Sequence, residues 1–261
     1  MDNNVKMNIQ EKIGERKVMK CGEECEIVEY RKYSDITVKF LKTGELVKSK
    51  YGDFKKEKIK SHFTPSVFGV GIIGYEKTRK DGVKLRSYDT WRDMLKRCYS
   101  EKYQQMQPTY KGCSVCDEWL YYSNFKKWYE DNYYEIEGQR MCLDKDIINK
   151  GNRIYSPNNC IFVPNNINLL FVKCDSSRGN LPIGVSLNKS QKYDSKCRIF
   201  DVSKLKHCKK YLGYFNTPKE AFDKYKVVKE ENIKQIADYY KDRIPEKLYN
   251  AMYKYEVHIH D

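Results

Sequence analysis

Between Glu26 and Leu41 apolar and polar positions alternate. Glu26-Ile-Val-Glu-Tyr30 and Ile36-Thr-Val-Lys-Phe-Leu41 carry the period-two signature of half-buried strands. Lys42-Thr-Gly-Glu45 supplies a glycine turn before Leu46-Val47, so residues 21–60 read as a small antiparallel β module, twisted or barrel-like, with a basic tail from Lys55 to Lys60. Gly69, Gly71 and Gly74 read as a flexible junction. From Ser87 the period changes. Tyr88, Trp91, Met94 and Leu95 share a helix face, and Trp119 to Trp128 reads as a second helix. Met141-Cys-Leu-Asp144 and Ile161-Phe-Val flank a polar loop, and Pro164 opens a short helix with Ile167, Leu170 and Phe171 on one side. After a polar linker, Cys174 to Asn180, three strands are expected at Ile183–Asn188, Cys197–Val202 and Tyr211–Phe215. Thr217 and Glu220 then form a capping box with Pro218 at the first helical position. The long helix that follows places Phe222, Tyr225, Ile233, Ile236 and Tyr240 near one face, and a further short helix is expected after Pro245.

The pattern predicts a multi-domain α+β chain. It divides into residues 1–65, a β module behind a charged leader; residues 66–174, a central mixed region; and residues 181–261, a three-stranded sheet with a helix and a tail. Charge adds a partner. The 261 residues carry a net charge of +14, which points to nucleic acid more than to any fold. Between Lys189 and Lys210, eight basic residues stand against two acids. Lys189, Lys192, Arg198, Lys204, Lys206, Lys209, Lys210 and Tyr211 are the candidate nucleic-acid contacts, because a basic strand pair fits a major groove ~12 Å wide. Met1 to Lys20 is polar, and no apolar run is long enough to span a bilayer, so no membrane contact and a cytoplasmic location are expected. Ten cysteines without a secretion signal read as free thiols. Cys113-x-x-Cys116 has the spacing of half a zinc site, which Cys98 and Cys160 could complete; small buried thiols are the alternative. The N-terminal β module is either a docking element for DNA or a protein partner, or a structural appendage.

Two stretches carry a resemblance. Gly184-Val185, Arg198-Ile199, Lys210-Tyr-Leu-Gly-Tyr-Phe215, Thr217 and Glu220-Ala-Phe222 with Tyr225 resemble an AP2-type DNA-binding domain, with Lys196-Cys197 standing where that family has a Trp before the Arg of its second strand. Trp91 to Tyr99, Lys111-Gly-Cys-Ser-Val-Cys-Asp-Glu-Trp-Leu120, Leu143-Asp-Lys-Asp146, Lys150-Gly-Asn152 and Tyr155-Ser-Pro-Asn-Asn-Cys160 look like phage-type HNH-like proteins. Together they resemble phage HNH-like homing endonucleases with a C-terminal AP2-like domain. The resemblance implies a phage-borne protein in a bacterial cell that binds double-stranded DNA and cuts it with Mg²⁺ or Mn²⁺. It places Asp144 at the metal carboxylate, Asn152 at the loop brace and Asn168 at the helix position that completes the metal site. Lys145 stands where the family has its general-base histidine and can serve as the base only if burial or a nearby cation depresses its pKa; Asp146 or metal-bound hydroxide are the substitutes. The competing expectation is a non-catalytic regulator or inhibitor, such as a phage anti-defence protein, built on a decayed nuclease scaffold.

Overall fold

The computed structural model describes residues 11–172 and 179–261, which fall into two compact units, 1–129 and 130–261. Half of the charged leader and most of the polar linker lie outside the described residues. The architecture is mixed α+β with several small sheets. No helix among the described residues is long and apolar enough to cross a membrane.

In the first unit, β1 (Arg16–Val18), β2 (Glu24–Lys32), β3 (Asp35–Phe40) and β4 (Leu46–Ser49) form an antiparallel sheet in chain order. Alternation sets its inner face. Cys25, Ile27, Ile36, Val38 and Phe40 are fully buried, while Val28 and Lys39 face outward. Helix α1 (Tyr51–Lys55) covers that face with Tyr51 and Phe54, so the sheet is capped on one side and not rolled into a barrel. The expected basic tail therefore begins inside a helix.

A hairpin follows, β5 (Arg79–Lys80) and β6 (Val83–Lys84). Helix α2 (Arg86–Tyr99) buries Trp91, Met94 and Leu95 of the expected face and Cys98 beside them, while Tyr88 is half-buried. The Trp91 indole donates to the Trp119 carbonyl at 2.7 Å. Short helix α3 (Glu101–Met106) is capped by Ser100, and β7 (Ser114–Val115) follows. The stretch Trp119–Trp128 is not one helix: a 3₁₀ turn at Asp117–Leu120 precedes α4 (Tyr122–Asn132). The glycine junction is also packed tighter than expected. A Cβ on Gly71 would lie 2.5 Å from Leu95 Cδ1 and 2.9 Å from the Trp91 ring, so glycine here permits close packing rather than flexibility.

In the second unit, β8 (Met141–Asp144) pairs antiparallel with β10 (Ile161–Pro164), and β9 (Ile154–Tyr155) lies in the loop between them. Short helix α5 (Asn165–Asn168) leaves the end of β10, whose last residue is Pro164. Strands β11 (Val185–Leu187), β12 (Tyr193–Asp201) and β13 (Lys206–Phe215) form an antiparallel sheet in that order. The latter two begin four to five residues earlier than the apolar pattern suggested. Helix α6 (Pro218–Tyr240) starts at the expected capping box, with Thr217 and Glu220 each satisfying the other's backbone. Helix α7 (Glu246–Tyr253) follows. α6 serves two cores. Ala221, Phe222 and Tyr225 pack on the three-stranded sheet, while Ile233, Ile236, Ala237 and Tyr240 join Ile147, Ile161, Val163 and Ile167 around the β8–β10 pair.

Candidate nucleic-acid interface and the Asp144 loop

Asp144 ends β8 opposite Ile161. Its Oδ1 accepts the backbone N–H groups of Asp146 at 2.9 Å and Ile147 at 2.7 Å, which turns the chain and delivers Ile147 to the core. Burial, then the neighbouring Asp146 charge, pushes the Asp144 carboxyl up to about 6. The Lys145 ammonium pairs with Asp146 Oδ2 at 3.1 Å and lies 5.8 Å from the centre of the Tyr155 ring. Asn152 ties the loop together. Its Nδ2 donates to the carbonyls of Lys145 at 2.7 Å and Ile154 at 2.8 Å, and its Oδ1 accepts from Asn159 Nδ2 at 3.2 Å. Asn168 closes α5, which packs against β8.

For a hard cation, Asp144 offers Oδ2, the oxygen outside the turn, and a divalent ion there would relieve the repulsion from Asp146. The Lys145 ammonium works against it, since it already compensates Asp146. Among the described residues, no three His, Cys, Asp or Glu side chains gather as a metal site. Of the zinc candidates, Cys98, Cys113 and Cys116 belong to the first unit and Cys160 to the second; Cys98, Cys113 and Cys160 are buried and Cys116 is half-buried.

One face of the three-stranded sheet is covered by α6; the other is open from Asp194 to Arg198 and closes at Phe200, which is buried in the second core with His207 opposite it. Ser195 and Cys197 are fully buried under α6, and the Ser195 hydroxyl donates to the Ala221 carbonyl at 2.8 Å. Strand alternation therefore turns Asp194, Lys196 and Arg198 to the other face, and their ladder partners Tyr214, Tyr211 and Lys209 go with them. Tyr211 and Tyr214 are 54% and 62% exposed, and the ammonium groups of Lys196 and Lys192 lie 6.0 and 5.0 Å from their ring centres. Asp194 organises this end. It accepts Asn188 Nδ2 at 2.9 Å and pairs with Lys196 at 3.0 Å; these two, Asn188 first, hold its carboxyl below the usual range. Arg198 and Lys209 stand directly opposite each other, exposed and without an acidic partner among the described residues.

The remaining basic candidates scatter. Lys189 sits with Lys192 in the β11–β12 turn, while Lys204 and Lys206 lie at the β12–β13 end, Lys204 pairing with Asp201 at 3.3 Å. Lys210 opposes buried Cys197, which assigns it to the α6 side of the sheet. Two residues escaped the sequence reading. His207, opposite Phe200, has both ring nitrogens buried without a hydrogen bond; the Asn166 backbone nearby falls outside bonding geometry. Burial, then Arg198, keeps its pKa low. Lys229, buried on α6, donates to the Arg198 carbonyl at 3.2 Å, and burial lowers its pKa.

No protein-family model, curated protein or solved structure matches the chain.

Proposed function

We propose that the chain binds double-stranded DNA through the open face of the β11–β12–β13 sheet. Lys192, Lys196, Arg198 and Lys209 meet phosphates and base edges there, and Tyr211 supplies stacking or apolar contact. The observation that carries this reading is the Arg198–Lys209 pair. Like charges directly across a ladder destabilise the sheet, and an anion between them reverses the sign. The test is fluorescence anisotropy with a labelled duplex across a salt series. Each lost phosphate contact lowers the slope of log affinity against log salt by about 0.9, so Arg198→Ala with Lys209→Ala should lower it by about 2. Wild-type affinity that ignores salt, or a double variant that binds as wild type does, overturns the reading.

A second reading, metal-dependent nicking, is favoured by one observation: Asp144 is a carboxylate held in a place that resists its charge. Asp144 and Asn168 would hold Mg²⁺ or Mn²⁺, whose role is to stabilise charge on the scissile phosphate. Asn152 keeps the loop in shape, and Lys145 and Asp146 are the remaining candidates for proton transfer. Supercoiled plasmid incubated with either metal should be nicked by wild type and not by Asp144→Asn. Without any metal-dependent nicking, the chain is a non-catalytic DNA- or protein-binding regulator or inhibitor, with the first-unit sheet available to a protein partner. Metal analysis of the purified protein decides whether Cys98, Cys113, Cys116 and Cys160 hold zinc.

A further inference from the structure

The β5–β6 hairpin of the first unit has no evident structural task. Every residue from Arg79 to Lys84 is exposed, including Val83 at 70%. An isolated two-stranded ribbon is at best marginally stable in water, so a segment that adds nothing to a core needs another source of order. Local chemistry supplies it. Asp81 and Gly82 have φ values of 50° and 78°, the two positive values that a tight two-residue hairpin turn requires. The Arg79 guanidinium closes over the turn onto the Gly82 carbonyl at 2.7 Å, and Leu85 N–H reaches the Thr78 carbonyl at 3.0 Å at the base.

The charges on this ribbon work against it. Arg79 stands directly across from Lys84, and Lys77 and Lys80 add to the same short segment. Among the described residues, no carboxylate pairs with Lys77, Arg79 or Lys80, and the one that approaches Lys84, on Asp89, is 4.0 Å away. Like charges opposed across a ladder destabilise it. A preordered ribbon that repels itself and buries nothing is suited to an anionic partner with charges on both flanks. Duplex nucleic acid has that form: its major groove admits a two-stranded ribbon between two phosphate rows and shows thymine methyl groups on its floor, a fitting contact for an exposed valine.

We infer that the β5–β6 hairpin is a second duplex-DNA contact, a basic ribbon laid in a groove with Val83 and its ladder partner Lys80 on the face toward the bases and Arg79 and Lys84, paired on the other face, reaching the flanking phosphates. It lies in the first unit and stands whether or not the sheet of the second unit binds DNA.

The test uses the full chain, a fluorescein-labelled duplex of about 25 base pairs and anisotropy between about 50 and 300 mM KCl. The triple variant Arg79→Ala, Lys80→Ala, Lys84→Ala is compared with a charge-matched control on the same unit, Lys39→Ala, Lys42→Ala, Lys50→Ala. Both sets lie on exposed positions, so melting by circular dichroism should stay at the wild-type value. The hairpin variant should lose at least about tenfold in affinity, and its salt slope should fall by about 2 to 3, with a smaller change in the control. Equal losses in the two variants would mean that net charge alone is sensed, and the inference falls. It also falls if the hairpin variant binds DNA like wild type, whether or not it has lost binding to phosphatidylserine vesicles. If Arg198→Ala with Lys209→Ala binds normally while the hairpin variant does not, the ribbon stands and the sheet reading fails.

Discussion

Replacing Asp144 with Asn should stabilise the second unit at neutral pH and leave it nearly unchanged in acid. Asn keeps the oxygen that accepts the Asp146 and Ile147 N–H groups and removes only the charge. The folded pKa is about 6 against an ordinary 3.8, a little over two units, and each unit corresponds to about 1.4 kcal/mol. The ionised group therefore destabilises the fold at neutral pH by at most about 3 kcal/mol, with solvent at this partly exposed residue reducing that figure. The direction follows from proton counting. Between the two pKa values the folded state holds the proton and the unfolded chain does not, so stability falls as pH rises through that window. Thermal melts by circular dichroism at pH values near 3.5 and 7.5, wild type beside Asp144→Asn, read the gap. The variant should melt later at the higher pH only, and added Mg²⁺ should close the gap by stabilising wild type alone. A variant that melts no later than wild type at neutral pH, or a gap equal at both pH values, would refute the account of Asp144 as a charge the fold resists.

Gly184→Ala should destabilise the second unit strongly, because its φ is +81° and the new Cβ would lie 2.1 Å from Tyr225 Cδ2. Backbone strain and overpacking together cost about 3 kcal/mol or more, a fall in melting temperature on the order of 10 °C; a shift within a degree or two would show that the Tyr225 ring moves aside freely. In the first unit, burial pushes the Glu45 carboxyl up, but bonds from Ser61, Tyr75 and His62 outweigh it and hold the pKa below the ordinary range. Its contribution should be present above the unfolded glutamate pKa and disappear as pH falls through the folded one. Glu45→Gln should therefore melt earlier than wild type near neutrality and converge with it in acid, and a constant difference across pH would contradict this.

Local chemistry was legible in the sequence where residues near one another decide the outcome. Thr217, Pro218 and Glu220 announce the start of α6, and Ile27, Val38 and Phe40 announce the inner face of the first sheet. The early parts of β12 and β13 were not legible. Tyr193-Asp-Ser-Lys and Lys206-His-Cys-Lys-Lys lack apolar alternation, and they are strands because each is laddered to the more apolar part of the other strand, the first to Tyr211–Phe215 and the second to Cys197–Asp201. Register was hidden for the same reason. A charge count cannot tell that Lys209 faces outward and Lys210 toward α6; that follows from their partners, Arg198 and Cys197. His207 was visible as a residue but not as a buried one, since Phe200 and Asn166 meet it only after folding. For Asp144, position came from sequence pattern, but its raised pKa comes from packing.

The double duty of α6 bears on how such a protein can be recombined. One 23-residue helix, about 35 Å long, roofs the basic sheet with its first half and fills the core under the Asp144 loop with its second. A graft of residues 181–261 alone onto another chain would carry Ile233, Ile236 and Tyr240 into water, where they would seek a new neighbour. The sheet and the loop are thus inherited together, and exchange of either between lineages requires a compatible helix to travel with it.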